Sequence, residues 1–514
     1  MTRYALARGG LAFRTALAFL AVAIAIALGA GASAAHAYSF GEPYVRATGP
    51  EQTVFDWTTD RCEDIDIPDA PARAFTDSNG NVNLLASHFV TRRSVGPSLD
   101  TVQHSCNLVF NSHYDADPRA YADREWLSST YTPDGKTVYA LVHDEYQGWR
   151  YDSACGTVWA QQQTCWMNAI TSAVSTDGGA TFAAAPSPAH VVASAPYPYA
   201  RGTGPFGYFK PTNIVRRPED GYFYFLVRAE ANRAQSEGVC VLRTANVTDP
   251  ASWRAWDGND FTVRFIDPYV ETRELPSAHV CRPVDTPVIG KMSSSLTYNS
   301  YIGKFVLLDV IAPLDDQRVP HPGVYYATSS DLVHWGDRRL LMNAEVTWTH
   351  ACGDPDPVGN PSLIDADSPS RNFDVMGRRA YLYFTRFNVQ YSAGTCFTSL
   401  DRDLIRIPVE FEEAATQPPP QPATTPSPPA PRQLGGELIA AANPRHPAAC
   451  ASARQRRDRI ARRLRSARLK LRRAKTQSAR LRYRKRVRSL QQRLRRARSS
   501  AKQYCKSAEP ASKP

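Results

Sequence analysis

Several things are missing from this 514-residue chain. No Cys-x-x-Cys pair occurs among its 10 cysteines, which removes the usual zinc and dithiol signatures. There is no Gly-x-Ser-x-Gly, His-Glu-x-x-His or phosphate-binding Walker loop, so the common hydrolase, metalloprotease and nucleotidase signatures are absent. Gly202, Gly204 and Gly207 match Gly-x-Gly-x-x-Gly, but no strand-helix pattern surrounds them and the match is a loop coincidence. Only one apolar run is long enough to suggest a membrane segment, and it lies near the N-terminus, which excludes a polytopic membrane protein. Between Cys450 and Cys505 acids are nearly absent: 19 Arg and 4 Lys face Asp458 alone, a net charge of +22. Residues 38–449 carry 33 basic and 47 acidic residues, or −14. The overall +12 is therefore an average over two opposite regions.

The N-terminus reads as an export signal. Arg3, Arg8 and Arg14 precede an apolar run from Thr15 to Ala30, and Ala35-His36-Ala37 supplies a small-x-small cleavage site. Residues 1–37 are expected to be removed, leaving Tyr38 first and no transmembrane helix; the alternative is an uncleaved anchor. Export to a secreted or extracytoplasmic, cell-surface location favours disulfides. The eight body cysteines allow 105 pairings. A sequential scheme is expected: 62–106, 155–165, 240–281 and 352–396.

From 38 to 415 the chain reads as mainly β. Short runs of Val, Tyr, Phe, Leu and Thr alternate with Gly, Asp, Asn and Pro turns, without a long helical period. A strand-turn-strand unit recurs at 72–88, 128–146, 212–230, 294–311 and 361–387. More polar hairpins follow at 98–110, 169–182, 239–256 and 324–341, and LIRIPVEF (404–411) ends the fifth unit. Five units of four strands predict a five-bladed β-propeller; an irregular pair of β-sandwiches is the alternative.

The hairpin alternation, the opening Asp69-Ala70-Pro71 and the segment Ser330-Asp331-Leu332-Val333-His334-Trp335 resemble the five-bladed propeller glycosidases. That group includes the arabinofuranosidase/xylosidase and invertase-like families. Ser175-Thr176-Asp177-Gly178-Gly179-Ala180-Thr181-Phe182 is similar to the Asp box of sialidase-type propellers. Physically it is a turn staple: a carboxylate for turn N–H groups, two glycines for positive φ, and a Phe to pack between sheets.

Inner strands of a propeller converge on one funnel, and glycoside hydrolysis needs two carboxyl groups, one protonated and one ionised. The resemblance implies a base or nucleophile at Asp69. Glu145, in His143-Asp144-Glu145-Tyr146, and Glu230 close inner hairpins and are the candidates for a general acid raised by burial. Arg73, His143, Lys210, Asn360 and Arg386 are the substrate-binding candidates. Lys210-Pro211 and Asn360-Pro361 depart from the family, which often has an acid at these openings. Each acid also has an ordinary reading as a turn cap or surface charge. No metal or cofactor is expected, with a structural calcium ion left open.

Residues 416–433 form a linker with eight prolines between 416 and 432, an extended spacer of roughly 50 Å in polyproline II form. Residues 434–514 predict a basic antiparallel hairpin with helices at about 451–475 and 479–505. Ala453, Ile460, Leu464, Ala467, Leu471 and Ala474 pair in reverse order with Tyr504, Ala497, Leu494, Leu490, Val487 and Tyr483. A Cys450–Cys505 disulfide is expected at the open end. The expected partners are a glycan or polysaccharide at the funnel and an anionic envelope polymer or lipid-headgroup surface at the tail, not nucleic acid. A non-catalytic carbohydrate-binding or adhesive propeller is the alternative.

Overall fold

The computed structural model describes residues 44–412, apart from 87, 316, 317, 393 and 394, together with nine helical positions between 464 and 491. The chain separates into two compact units, Met1–Pro420 and Gln421–Pro514.

The first unit is mainly β, built from successive antiparallel meanders. Sheet 1 runs Arg73–Thr76, Val82–Leu85, Ser94–Gly96, Gln103–His104. Sheet 2 runs Glu125–Tyr131, Val138–Gln147, Trp166–Ser175, with Ala183–Ala184 and Val191–Ala193 on its outer side. In sheet 3, Phe206–Phe209 and Val215–Arg216 both pair with Phe223–Ala229, followed by Gly238–Thr244, Arg254–Trp256 and Phe261–Val263. Sheet 4 runs Ser295–Asn299, Lys304–Ile311, Gly323–Ser329, Arg339–Asn343. Sheet 5 runs Val358–Ile364, Arg379–Phe387, Arg402–Glu412, and its outer positions are filled from the other end of the chain by Tyr44–Ala47 and Gln52–Asp56. A parallel contact of Met167 and Asn168 with Phe206 and Gly207 joins sheets 2 and 3. It depends on Gly207, at φ 98°, because a Cβ there would strike the Asn168 carbonyl.

Among the described residues, an apolar layer lies between each neighbouring pair of sheets. Phe75 and Leu85 meet Val138, Ala140 and Val142 between sheets 1 and 2. Leu141 and Ile170 meet Phe225 and Val227 between 2 and 3, while Tyr224 and Leu226 meet Phe305 and Leu307 between 3 and 4. Val306 and Leu308 meet Leu382 and Phe384 between 4 and 5. Leu84 meets Ile364 and Tyr383, joining sheet 5 back to sheet 1. Alternate residues of one strand thus enter two different layers. Both faces are buried, and the strands read as continuous apolar runs rather than polar-apolar alternation.

The innermost strands are laced in the same cyclic order. Arg73 donates to the Ser128 carbonyl at 3.0 Å, and the Ile214 N–H donates to Ser129 Oγ at 3.0 Å. The Leu296 N–H donates to Asn213 Oδ1 at 2.9 Å, and the Leu363 N–H to Ser295 Oγ at 3.4 Å. From the second strand of sheet 5, Thr385 donates to the carbonyl of Pro68, just ahead of sheet 1, at 3.0 Å.

A hydroxyl-x-Asx turn ends the third strand of three sheets. Asp177 accepts from the Thr181 N–H at 3.0 Å, Asn246 from the Thr248 N–H at 3.1 Å, and Asp331 from the His334 N–H at 2.7 Å. Each turn is followed by a buried aromatic, respectively Phe182, Trp253 and Trp335. The four body disulfides pair sequentially: Cys62–Cys106, Cys155–Cys165, Cys240–Cys281 and Cys352–Cys396.

In the second unit, the described helical positions separate by exposure. Leu464 is buried and Leu471, Tyr483 and Val487 are half-buried, whereas Arg465, Arg468, Arg472, Arg484 and Gln491 are exposed. The less exposed four are seam positions of the expected hairpin. Cys450, Cys505, the 416–433 linker and the 1–37 signal lie outside the described residues. Among the described residues no helix is long and apolar enough to cross a membrane.

Candidate active site

Asp69 immediately precedes sheet 1, where three sheets meet. Its carboxylate pairs with Arg402 at the start of the third strand of sheet 5. It also accepts from Trp126 Nε1, on the first strand of sheet 2, at 3.3 Å. His88 Nε2 lies 3.6 Å away. His88 is packed against Phe89, with ring centroids 3.7 Å apart. Burial pushes its imidazole down to about 4, against the pull of the Asp69 charge, so it is neutral at pH 7.

Glu145 lies near the end of Val138–Gln147, two residues beyond His143. That spacing puts both on one face of the strand, and His143 Nδ1 is 3.7 Å from Glu145 Oε1. Burial pushes the Glu145 carboxyl up to about 8; the Gln147 amide, donating at 3.2 Å, opposes the shift, and the negative charges of Asp69 and Asp123 add to it. Glu145 is thus a protonated acid at neutral pH, close enough to Asp69 to feel its charge. Burial holds His143 at about 4. Its Nε2 is 2.9 Å from Asn168 Oδ1, an acceptor, which places the imidazole proton there and leaves Nδ1 bare toward Glu145.

Asp144 points to the opposite face and is fully buried, accepting the Asp123 N–H at 2.8 Å. His143, Asp144 and Glu145 therefore do not converge as a metal-binding set. Cys62, Asp66 and His104 do cluster, but the Cys62 sulfur is committed to a disulfide.

Glu230 occupies the corresponding place just past Phe223–Ala229 in sheet 3, in a different environment. One oxygen pairs with Arg228 and the other accepts from Lys291 at 2.9 Å. With both oxygens held by cations it is poorly suited to donate a proton. Lys210 pairs with Asp309 at 3.2 Å, and Asp309 also accepts the Ser293 N–H at 2.8 Å. Arg73 is buried and makes no ion pair: it donates to the carbonyls of Ser128 and of Ser294, the latter at 2.7 Å, and burial lowers its pKa to about 9. Asn360 is half-buried, with φ 51° in an irregular stretch of its strand. Arg386 is in a bidentate pair with Glu51, at 3.0 and 2.5 Å.

The structure thus brings together Asp69, Glu145 and His143, and sets Glu230, Arg386 and Arg73 in other polar networks. It adds Arg402, His88, Trp126 and Asp309, which sequence reading missed. Asp309 alone left a signal, as the one acid inside the apolar run of Lys304–Ile311. A chain of aromatic rings borders the site. Trp126 is 6.1 Å from His143, His143 is 6.0 Å from Phe209, and Phe209 is 5.4 Å from Trp166. Apolar faces with a few fixed polar groups are the usual lining of a small-ligand cleft.

No protein-family model matches the chain, and no curated protein matches it in sequence. Solved structures do. An α-L-arabinanase of Cellvibrio cellulosa, complexed with arabinohexaose, is 9% identical over 66% of this chain and 91% of its own, with a TM-score of 0.36. A thermostable family-43 glycoside hydrolase is 9% identical over 69% and 96%, with a TM-score of 0.36. A GH62 hydrolase in complex with xylotriose is 10% identical over 72% and 98%, with a TM-score of 0.35. These neighbours are glycoside hydrolases, and at such scores the likeness carries no argument about the chemistry of this chain.

Proposed function

We propose that this chain is an exported, glycan-active five-bladed β-propeller that hydrolyses a glycosidic bond in its central funnel. The observation that carries the reading is the pairing of unlike carboxyl groups. Glu145 is protonated at neutral pH by burial, and it feels the charge of Asp69, which is ion-paired with Arg402. In this mechanism the Glu145 proton passes to the leaving oxygen as the carbon–oxygen bond breaks. As that bond breaks, a new one forms on the opposite side of the sugar, from the anomeric carbon either to a water that gives its proton to Asp69 or to Asp69 itself, whose ester a water then hydrolyses. The cyclic order of sheets and apolar layers supports five blades.

One observation favours a second reading, a non-catalytic glycan-binding propeller. Both Asp69 oxygens already have partners, Arg402 and Trp126, which restrain it as a base. A panel of polysaccharides assayed for binding and for reducing-end release separates the two. Hydrolysis that Asp69→Asn abolishes while binding persists establishes the enzyme; bound glycan that is never cleaved establishes the binding module.

The +22 segment acts, on this proposal, as an electrostatic tether to an anionic envelope polymer or headgroup surface. Surface retention is then lost at high salt and on deletion of residues 434–514. Retention indifferent to both removes the tether. Non-reducing mass spectrometry that fails to link Cys450 to Cys505 within one chain removes the stapled hairpin.

A further inference from the structure

Beside the carboxyl pair, a cavity of about 490 Å³ is lined by Phe89, Tyr114, Arg124, Arg150 and Tyr151. Arg124 is 8% exposed, yet no hydrogen bond or carboxylate partner holds its guanidinium among the described residues. It is sandwiched between rings instead, 4.3 Å from the centroid of Tyr114 and 4.7 Å from that of Phe89. Its backbone lies at φ 49°, a left-handed conformation that a non-glycine residue holds only when its surroundings impose it. A second cation, Arg150, faces the same space and repels it.

An oxyanion shared between the two guanidinium groups would relieve that repulsion. The nearest carboxylate, Asp123, is already engaged, accepting the Tyr151 hydroxyl at 2.7 Å and the Gln147 N–H at 3.0 Å. Tyr114 and Tyr151 are 49% and 38% exposed, and so present faces on which a sugar ring can stack. The cavity adjoins the reacting groups on both sides. The Glu145 N–H donates to the Arg124 carbonyl at 2.9 Å. Phe89 packs edge-on against Trp126, which donates to Asp69.

We infer that this cavity is a subsite for a sugar bearing an anionic substituent, a carboxylate or a sulfate ester, gripped by Arg124 and Arg150 and stacked on Tyr114 and Tyr151. The inference rests on the glycan-active reading and specifies its substrate class: an acidic polysaccharide. A bidentate contact from a planar guanidinium suits either oxyanion.

The test is calorimetric titration of the full mature chain with three probes at physiological salt. These are a uronic-acid tetrasaccharide, the same tetrasaccharide with its carboxyls reduced to alcohols, and a sulfated neutral tetrasaccharide. At least one acidic probe is expected to bind about tenfold or more tighter than the neutral one, and which acidic probe wins identifies the anion. Arg124→Gln and, separately, the surface change Arg150→Gln each lower that ratio by about threefold or more relative to wild type. Because the basic tail is intact in every variant, its own attraction cancels. Equal affinity for acidic and neutral probes overturns the subsite but leaves the glycan reading standing. A preference undiminished in both variants assigns the anion to the tail and overturns it equally. Binding of no saccharide of either kind overturns the subsite together with the reading beneath it.

Discussion

Glu145 and Glu230 hold matching places at the inner ends of neighbouring sheets and have opposite surroundings. Around Glu145 are a neutral imidazole, a side-chain amide and further carboxyl groups, and burial keeps its proton on. Around Glu230 are Arg228 and Lys291, and Lys291 also holds Glu237 at 2.7 Å. The same residue type at the same place in the repeat keeps its proton in one sheet and clamps two cations in the next. Fold position alone does not specify the chemistry; the neighbouring cations decide it.

The largest expected effect sets the two apart directly. Glu145→Gln removes the transferable proton and lowers kcat/KM by about a thousandfold or more on a glycan with a poor leaving group. Glu230→Gln lowers it by less than about tenfold. Instead it leaves two cations without their shared carboxylate, at a cost of roughly 1–2 kcal/mol in a denaturant melt, since both cations are about a third exposed. If Glu230→Gln proves the more damaging to turnover, the comparison is reversed.

A second contrast lies in pH. The wild-type kcat/KM is expected to fall above about pH 8, as Glu145 loses its proton. Glu230→Gln retains that limb. A limb that survives unchanged in the residual activity of Glu145→Gln assigns it to another group.

The smallest effect is on stability. Glu145 has a folded pKa of about 8, against 4.5 when exposed, so between these values the unfolded chain gives up a proton that the folded chain keeps. The ionised unfolded state is favoured increasingly as pH rises through that window. Glu145→Gln removes this cost and is expected to stabilise the protein at pH 8 by on the order of 1–3 kcal/mol, relative to its effect at pH 4.5. His88 and His143, both held near 4, act in the other direction: their contribution is present above about pH 6.5 and is lost as pH falls toward 4. Melting temperatures across pH 4.5–8 for wild type and variant check the sign.

The strands were legible in the sequence because inner hairpins buried on both faces appear as apolar runs that recur along the chain. The sequential disulfide scheme matched because each pair closes a stretch local to one region. His143 and Glu145 were read separately, one as a binding residue and one as an acid, although the two-residue strand period puts them on one face. Arg402 was not, because it reaches Asp69 across 333 residues of sequence, through the closure of sheet 5 onto sheet 1. The strands Tyr44–Ala47 and Gln52–Asp56 were missed for the same reason, since they complete a sheet whose other members lie more than 300 residues away. The sequence also offered Glu145 and Glu230 as equals. Lys291, which separates them, comes from the approach to the next sheet and has no local mark.

The most direct test measures reducing-end release from an acidic polysaccharide by wild type, Glu145→Gln and Glu230→Gln side by side at pH 6.5. The expected result is release by wild type and by Glu230→Gln, with none above background from Glu145→Gln. Release by Glu145→Gln at the wild-type rate would contradict the assignment of Glu145 as the acid.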